Sequence, residues 1–289
     1  MIIEKVGRKI RRKNIPFWLL WEITHKCNHE CFFCYNHKQN REETSFDAAL
    51  NILRKLKKMG TLFMLCTGGE PFLRKDFLDI LEFSRKEGFD VCVYSNGSLI
   101  NSKVAKRLAA LYLNYVGITV HSLNKNVFDK ITGVDGSFER TMAALRHLRE
   151  NRVPVKIKCN FIKENFSEIP RIWEFAKENN YPFQYGMDLV CRGDGSNKFK
   201  SSMLSDQQRL NVMRFIYNKN KTFVYYIKKR NERVCNMMDK VMTINAYGDI
   251  IPCLDFKTRN TSIIGRDIED VWNFSPELSK FKNILWKDM

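Results

Sequence analysis

The feature that most limits what this chain can fold into is a regular alternation of apolar runs and helix-spaced stretches between residues 17 and 218. Runs at 17–23, 61–66, 90–95, 115–120, 155–161 and 183–190 read as largely apolar strands, the pattern of a parallel sheet covered on its outer face. Residues 45–58, 75–87, 102–111, 137–150, 167–179 and 205–218 carry apolar side chains at helical spacing, as Phe46, Leu50, Leu53 and Leu56 do ahead of Gly60 as a C-cap. Six such repeats predict a parallel sheet whose right-handed crossovers place helices on its outer face and bend it toward a barrel. The expected fold class is α/β: a partial (β/α)6 TIM-like barrel with a small C-terminal hairpin-plus-helix extension. The polar signatures fall where a strand hands over to its helix, the end at which such barrels carry their chemistry.

The first strand end holds three thiols in eight residues, Cys27-Asn28-His29-Glu30-Cys31-Phe32-Phe33-Cys34. Three closely spaced thiolates suit an iron–sulfur cluster in which three irons are each tied to one cysteine and a fourth stays open to a group that is not protein. The rival is a zinc site, because His25, His29 and His37 lie close by and mixed Cys/His sets suit that ion. A zinc knob has no need of the turn Thr67-Gly68-Gly69-Glu70-Pro71 at the next strand's end, whose glycines allow a backbone to approach a ligand closely. The histidines are expected as surface groups or as supports behind the ligands. Cys66, Cys92 and Cys159 sit inside apolar runs and are expected in the core, while Trp18, Trp21 and Phe32 are expected to pack rather than to bind.

With aromatic Phe33 just before Cys34, the loop resembles the Cys-x3-Cys-x-aromatic-Cys signature of radical S-adenosylmethionine enzymes, and Gly68-Gly69-Glu70-Pro71 resembles that family's Gly-Gly-Glu-Pro motif. The resemblance covers about residues 17–218. It implies that Cys27, Cys31 and Cys34 hold a 4Fe-4S cluster whose open iron is chelated by the amino and carboxylate groups of S-adenosylmethionine. Reductive cleavage of that cofactor gives methionine and a 5′-deoxyadenosyl radical that abstracts a substrate hydrogen, so the implied protein is an enzyme. The resemblance also assigns Gly68, Gly69 and Glu70 to the methionyl amino group and places Tyr35 where main-chain atoms of the family meet the adenine. Ser95-Asn96-Gly97 resembles the third-strand turn, Ser122 falls where a serine contacts the cofactor's carboxylate or ribose, and Asn160 falls at a strand end that faces the ribose. Ser122-Leu123-Asn124, Asp129-Lys130-Ile131-Thr132-Gly133 and Gly136-Ser137-Phe138 resemble one further family segment, with two departures. Asn124 stands where aspartate is usual, and Thr132 where an arginine often binds the cofactor carboxylate.

Residues 219–233 break the rhythm with Lys219, Lys221, Lys228, Lys229, Arg230 and Arg233. The expected organisation is a basic arm at 1–16, the barrel at 17–218, a basic linker at 219–233 and a distinct region at 234–289. That region should contain a hairpin over 241–253 and short helices at 267–272 and 276–286. Cys235, Gly248 and Cys253, with 264–272 behind them, resemble the opening of a SPASM or twitch domain and imply a candidate auxiliary iron–sulfur cluster at Cys235 and Cys253. No cysteine follows Cys253, so the usual downstream ligand pair is missing and Cys191 is the one remaining candidate.

Composition bears on compartment and partners. The sequence lacks a run of about 18 apolar residues able to span a membrane, and nine scattered cysteines, three of them clustered, do not form a secreted disulfide framework. A reduced, cytoplasmic protein with no membrane partner is expected. The formal charge of +17 favours acidic partners. Within the SPASM-like branch this points to modification of a ribosomally made peptide, with an acidic leader, and to an electron donor such as flavodoxin or ferredoxin. Assembly of a small cofactor or modification of a haem-type precursor stays open. So does a protein of another class, a non-enzymatic zinc-containing nucleic-acid-binding protein, which would be colourless where the enzyme is brown with about four irons.

Overall fold

The computed structural model describes residues 14–36, 39–190, 196, 198–220, 232, 233, 235, 237–253, 258, 260–285 and 287. The basic arm before residue 14, most of the basic linker, His37 and Cys191 lie outside these residues.

The repeats are formed by β1 (Trp18–Thr24), α1 (Phe46–Met59), β2 (Phe63–Gly68), α2 (Phe77–Lys86), β3 (Asp90–Ser95), α3 (Ser102–Ala110) and β4 (Tyr115–Thr119), followed by α4 (Lys125–Thr132), α5 (Ser137–Glu150), β5 (Val155–Asn160), α6 (Ile169–Glu178), β6 (Phe183–Gly186) and α7 (Asp206–Asn220). Neighbouring strands from β1 to β6 all pair in parallel. The local reasons are those of the sequence. In α1, Ser45 accepts from the Ala48 N–H at the N-cap, Gly60 ends the helix at φ +104°, and Ala49, Ile52, Leu53 and Leu56 form the buried stripe. Helix α4 adds one element to the expected series, between residues that share a family motif.

Strand β5 shows why the sheet has a chemical inner face. Its sequence Val-Lys-Ile-Lys-Cys-Asn alternates strictly, and Val155, Ile157 and Cys159 are buried while Lys156, Lys158 and Asn160 are only partly so. The outward set packs under the helices; the inward set forms a wall. The main core lies between sheet and helices around Leu19, Trp21, Met64, Val91, Val116 and Ile157.

The C-terminal hairpin, expected as a region apart, joins this sheet. Its first strand, β7 (Val241–Ile244), pairs in parallel with β1 from Trp18↔Val241 to Trp21↔Ile244, and β8 (Ile250–Ile251) pairs antiparallel with β7. The eight-stranded order is β6-β5-β4-β3-β2-β1-β7-β8. Met242 and Ile244 bury on the same side as Leu19 and Trp21, so the hairpin extends the main core. After it come α8 (Ile268–Phe274) and α9 (Pro276–Lys282). Trp272 in α8 is fully packed and donates from Nε1 to the Asn14 carbonyl at 2.7 Å, tying the chain's end to its beginning. No helix among the described residues is long and apolar enough to cross a membrane.

Candidate functional site

Backbone hydrogen bonds and an asparagine pair hold the cysteine loop. At its start, Gly69 N donates to Thr24 O at 2.7 Å and Glu70 N to Lys26 O at 2.8 Å, which joins the end of β2 to the chain immediately before Cys27. Neither glycine has room for a side chain: a Cβ on Gly69 would stand 2.1 Å from Lys26 O, and one on Gly68 2.2 Å from Thr24 O. The close approach that these glycines permit is therefore one of backbone to backbone. In the loop's middle, Asn28 Nδ2 donates to Ser98 Oγ and Asn96 Nδ2 donates to Asn28 Oδ1, both at 2.9 Å. Further on, Glu30 N donates to Thr132 O at the end of α4, at 2.8 Å.

Glu70 fastens the turn after β2 to the turn after β3. Its buried carboxylate accepts from Phe72 N at 3.2 Å, Ser95 Oγ at 2.8 Å and Asn96 N at 2.7 Å. Burial pushes this carboxyl up to about 7, against the pull of those hydrogen bonds. Behind the loop, Tyr35 donates its hydroxyl to Glu22 Oε1 at 3.0 Å, and the other oxygen of Glu22 lies 3.2 Å from His25 Nε2. The C-terminal hairpin braces the same segment. Tyr247 packs edge-on against His25, and Arg41 makes a two-pronged contact with Asp249.

A cavity of about 350 Å³ opens at these strand ends. Of the residues singled out by sequence, Cys27, Cys31, Phe33, Cys34, Tyr35, Gly68, Gly69, Ser95, Asn96 and Asn160 line it. Glu70, Pro71 and Ser122 do not: Glu70 acts from behind the wall, Pro71 opens a short 3-10 turn, and the buried Ser122 hydroxyl donates to Glu168 Oε1 at 2.7 Å. Sequence reasoning missed Tyr94, Thr119, His121 and Lys158, which also line the cavity, as do His29, expected as a surface or supporting group, and Thr132, noted only as a departure from the family pattern. The alternation in β5 carries the signal for Lys158. Both His29 and His121 are buried rather than on the surface, and each leaves one ring nitrogen without a hydrogen-bond partner in the protein. Burial lowers His29 to about 4 and His121 to about 3, so both imidazoles are neutral in this wall.

The segment after β4 is explained by capping. Asn124, where the family has aspartate, accepts from the N–H groups of Asn126 and Val127 as the N-cap of α4, a role either residue fills. Asp129 receives Phe138 N at 2.9 Å, Ser137 Oγ at 2.7 Å and Gly136 N at 2.9 Å, holding the start of α5. Burial raises this carboxyl, but the three hydrogen bonds outweigh it and hold it below the ordinary aspartate value. A depressed folded-state pKa adds stability above the ordinary aspartate range and loses it as pH falls through the folded value. Asp129→Ala is therefore expected to cost about 1 kcal/mol at neutral pH in a denaturant titration, with the difference from wild type shrinking on acidification below about pH 4. A difference that does not change with pH would contradict this role for the carboxylate.

The three cysteines share one rim. Burial pushes the Cys27 thiol up to about 11, and Cys31 is raised further, by burial first and then by Cys34 and Cys27, so the sulfurs lie within electrostatic reach of one another. Among the described residues, which do not include His37, no group of three His, Cys, Asp or Glu stands at the spacing of a single metal ion. Three sulfurs around one cavity fit a cluster that ties each cysteine to its own iron. Cys235 and Cys253 are exposed, and no third described cysteine accompanies them.

A parallel α/β barrel with three cysteines at the mouth, pinned by a glycine turn, defines an iron–sulfur enzyme that works at the C-terminal ends of its strands. The chain belongs to the Radical SAM superfamily, whose sequence profile matches residues 21–176. This family uses a 4Fe-4S cluster and S-adenosylmethionine, which when bound supply a radical that takes a hydrogen atom from the substrate. The chain is 28% identical over 194 residues to Fe-coproporphyrin III synthase of Methanosarcina barkeri, a match covering 66% of this chain and 48% of that protein. It is 32% identical over 205 residues to a probable GTP 3′,8-cyclase of Saccharolobus solfataricus, covering 69% of this chain and 63% of the other. It therefore spans less than two thirds of either relative. In structure it matches Streptococcus suis SuiB bound to S-adenosylmethionine with a TM-score of 0.76 and 19% identity, over 96% of this chain and 71% of SuiB. The shared fold thus extends beyond the barrel into the C-terminal region.

Proposed function

We propose that this radical enzyme acts on a ribosomally made peptide, which enters the cavity from the open side of the sheet. The observation that carries the reading is the sheet order, in which β6 and β8 are ends rather than neighbours. Beside β6 the cavity is bordered by Asp188, Leu189 and Val190 instead of another described strand, leaving a side along which an extended chain can lie. SuiB, which shares the fold, has been crystallised with its precursor peptide SuiA. A net charge of +17 suits an acidic leader and an acidic electron donor such as flavodoxin or ferredoxin.

In this reading Cys27, Cys31 and Cys34 hold the cluster. The edge formed by Gly68, Gly69 and Asn96 receives the cofactor's methionyl end, and Asn160 faces its ribose. Phe33, Leu20 and the neutral His121 line the wall and keep water from the reacting atoms. A second reading, a carboxylated tetrapyrrole as substrate, draws support from the identity with Fe-coproporphyrin III synthase. Labelled substrates separate the two. Anaerobically loaded protein, given reductant, S-adenosylmethionine and a deuterated precursor peptide from a neighbouring gene, is expected to put deuterium into 5′-deoxyadenosine. Deuterium arriving from labelled coproporphyrin instead would sink the peptide reading, and colourless zinc protein that releases no 5′-deoxyadenosine would sink both.

A further inference from the structure

Lys158 lies on the inner face of β5, two residues below Asn160 at the strand's end, and lines the same cavity as the cysteines. Among the described residues no carboxylate pairs with its ammonium. Its neighbour is the face of Tyr94, whose ring centroid is 3.4 Å from Nζ. The surroundings make room for that contact. Gly117 of β4 stands beside the pair, and a Cβ there would lie 2.6 Å from Tyr94 Cδ1 and 3.2 Å from the Lys158 side chain. The Tyr94 hydroxyl donates to Gln184 Oε1 on β6 at 2.8 Å, which fixes the ring. One step deeper the arrangement repeats, with Lys156 Nζ 3.7 Å from the centroid of Tyr115.

A half-buried cation without a described counterion is costly, and a ring face offsets only part of that cost. Burial, with repulsion from Lys156 added, pushes the Lys158 ammonium down to about 7. Such a group is poised for an anion that arrives from outside. The cysteine loop and the glycine turn ring the mouth at the ends of β1 and β2, whereas Lys158 sits on β5, three strands beyond β2 and below the rim. An occupant reaching it lies beneath the level of the cysteines.

We propose that Lys158 is the seat for a carboxylate of the substrate, with Thr119, its partner in the pairing of β4 with β5, beside it as a hydrogen-bond donor and Lys156 behind it. One ammonium flanked by a hydroxyl matches a single charge spread over two oxygens. It does not match a polyphosphate, for which the described lining offers no arginine. The inference rests on the reading of the cavity as the reaction chamber of a radical enzyme. It holds whether the carboxylate belongs to an acidic residue of a peptide or to a tetrapyrrole propionate.

The test uses cluster-loaded protein with S-adenosylmethionine bound, and reads the labelling of individual lysines by an amine-selective acylating reagent, mapped by mass spectrometry. Glutarate is expected to protect Lys158, while its neutral diamide protects nothing. In equilibrium dialysis Lys158→Met should weaken glutarate binding by about tenfold or more. Lys158→Arg should recover part of the loss, and S-adenosylmethionine affinity should stay within about twofold in both. An acidic hexapeptide and coproporphyrin III, run as separate arms, show which source of carboxylate the seat takes. No protection of wild-type Lys158 by any carboxylate overturns the proposal, as does stronger protection by tripolyphosphate. A parallel loss of S-adenosylmethionine affinity in Lys158→Met would instead make the lysine a cofactor contact and also overturn it. Failure of the radical-enzyme reading itself shows separately, as absence of 5′-deoxyadenosine from wild-type protein that still binds glutarate.

Discussion

Cys34→Ala protein, reconstituted with iron and sulfide under anaerobic conditions, is expected to come through purification nearly colourless and to release 5′-deoxyadenosine at least about a thousandfold more slowly than wild type, at assay background. Cys34 lines the cavity beside Cys27 and Cys31, and the one other described cysteine that touches the cavity, Cys159, is buried in the core on the outward side of β5. If these cysteines hold the cluster as proposed, losing one of the three leaves an iron without an anchor, and the chemistry depends wholly on the bound group. Iron per chain should fall from about four to below about one. The companion variants Cys235→Ala and Cys253→Ala should keep iron near four and cleavage near wild type, because those thiols are exposed and stand outside the cavity. Wild-type protein carrying about eight irons, halved by Cys235→Ala, would show instead that the C-terminal pair holds a cluster of its own. Retained cleavage in Cys34→Ala would remove the cysteine loop from the mechanism.

What the sequence discloses here follows the distance over which each feature is encoded. The cysteine spacing, the glycine turn, and α1 with its Ser45 cap and Gly60 stop are written within a few residues, and all stand at the expected strand and helix ends. Helix α4 was hidden because only eight residues form it, inside a stretch that reads as a motif. The pairing of β7 with β1 joins residues more than two hundred positions apart, and nothing in a Val-Met-Thr-Ile run says which edge it will find. The hold of Glu168 on Ser122 has the same character, since a glutamate in a helical stretch reads as solvated surface. His29 reads as a surface or supporting group and His121 carries no signal of its own, yet packing buries both against the cavity. For Lys158 the alternation within β5 was visible, but alternation alone does not tell which face of a strand is a core and which is a chamber.

Gly69→Ala is expected to be, with Gly68→Ala, among the most damaging single-methyl additions at the described glycines, and its mode of failure separates two accounts of the Gly-Gly-Glu turn. If the glycine exists to admit a ligand, the variant should fold, load its cluster and lose only S-adenosylmethionine affinity. The geometry favours another result. The added carbon would stand 2.1 Å from Lys26 O and 2.6 Å from Lys26 C, and a backbone held by the Glu70 N to Lys26 O hydrogen bond cannot yield as a side chain could. The chain at Lys26 leads directly into Cys27, so the strain enters the ligand loop. A destabilisation of about 3 kcal/mol or more is expected, seen as a thermal midpoint lowered by several degrees, together with iron content well below wild type even after reconstitution. Gly265→Ala supplies the control. That glycine has a left-handed backbone, at φ +72°, which Gly69 does not, but nothing lies within 4 Å of its would-be Cβ, so the variant should lose only about 1 kcal/mol and stay brown. Were Gly69→Ala to load a full cluster and melt like Gly265→Ala, the contact between the two strand ends could not be what places the cysteines, and the turn's purpose would lie with the cofactor alone.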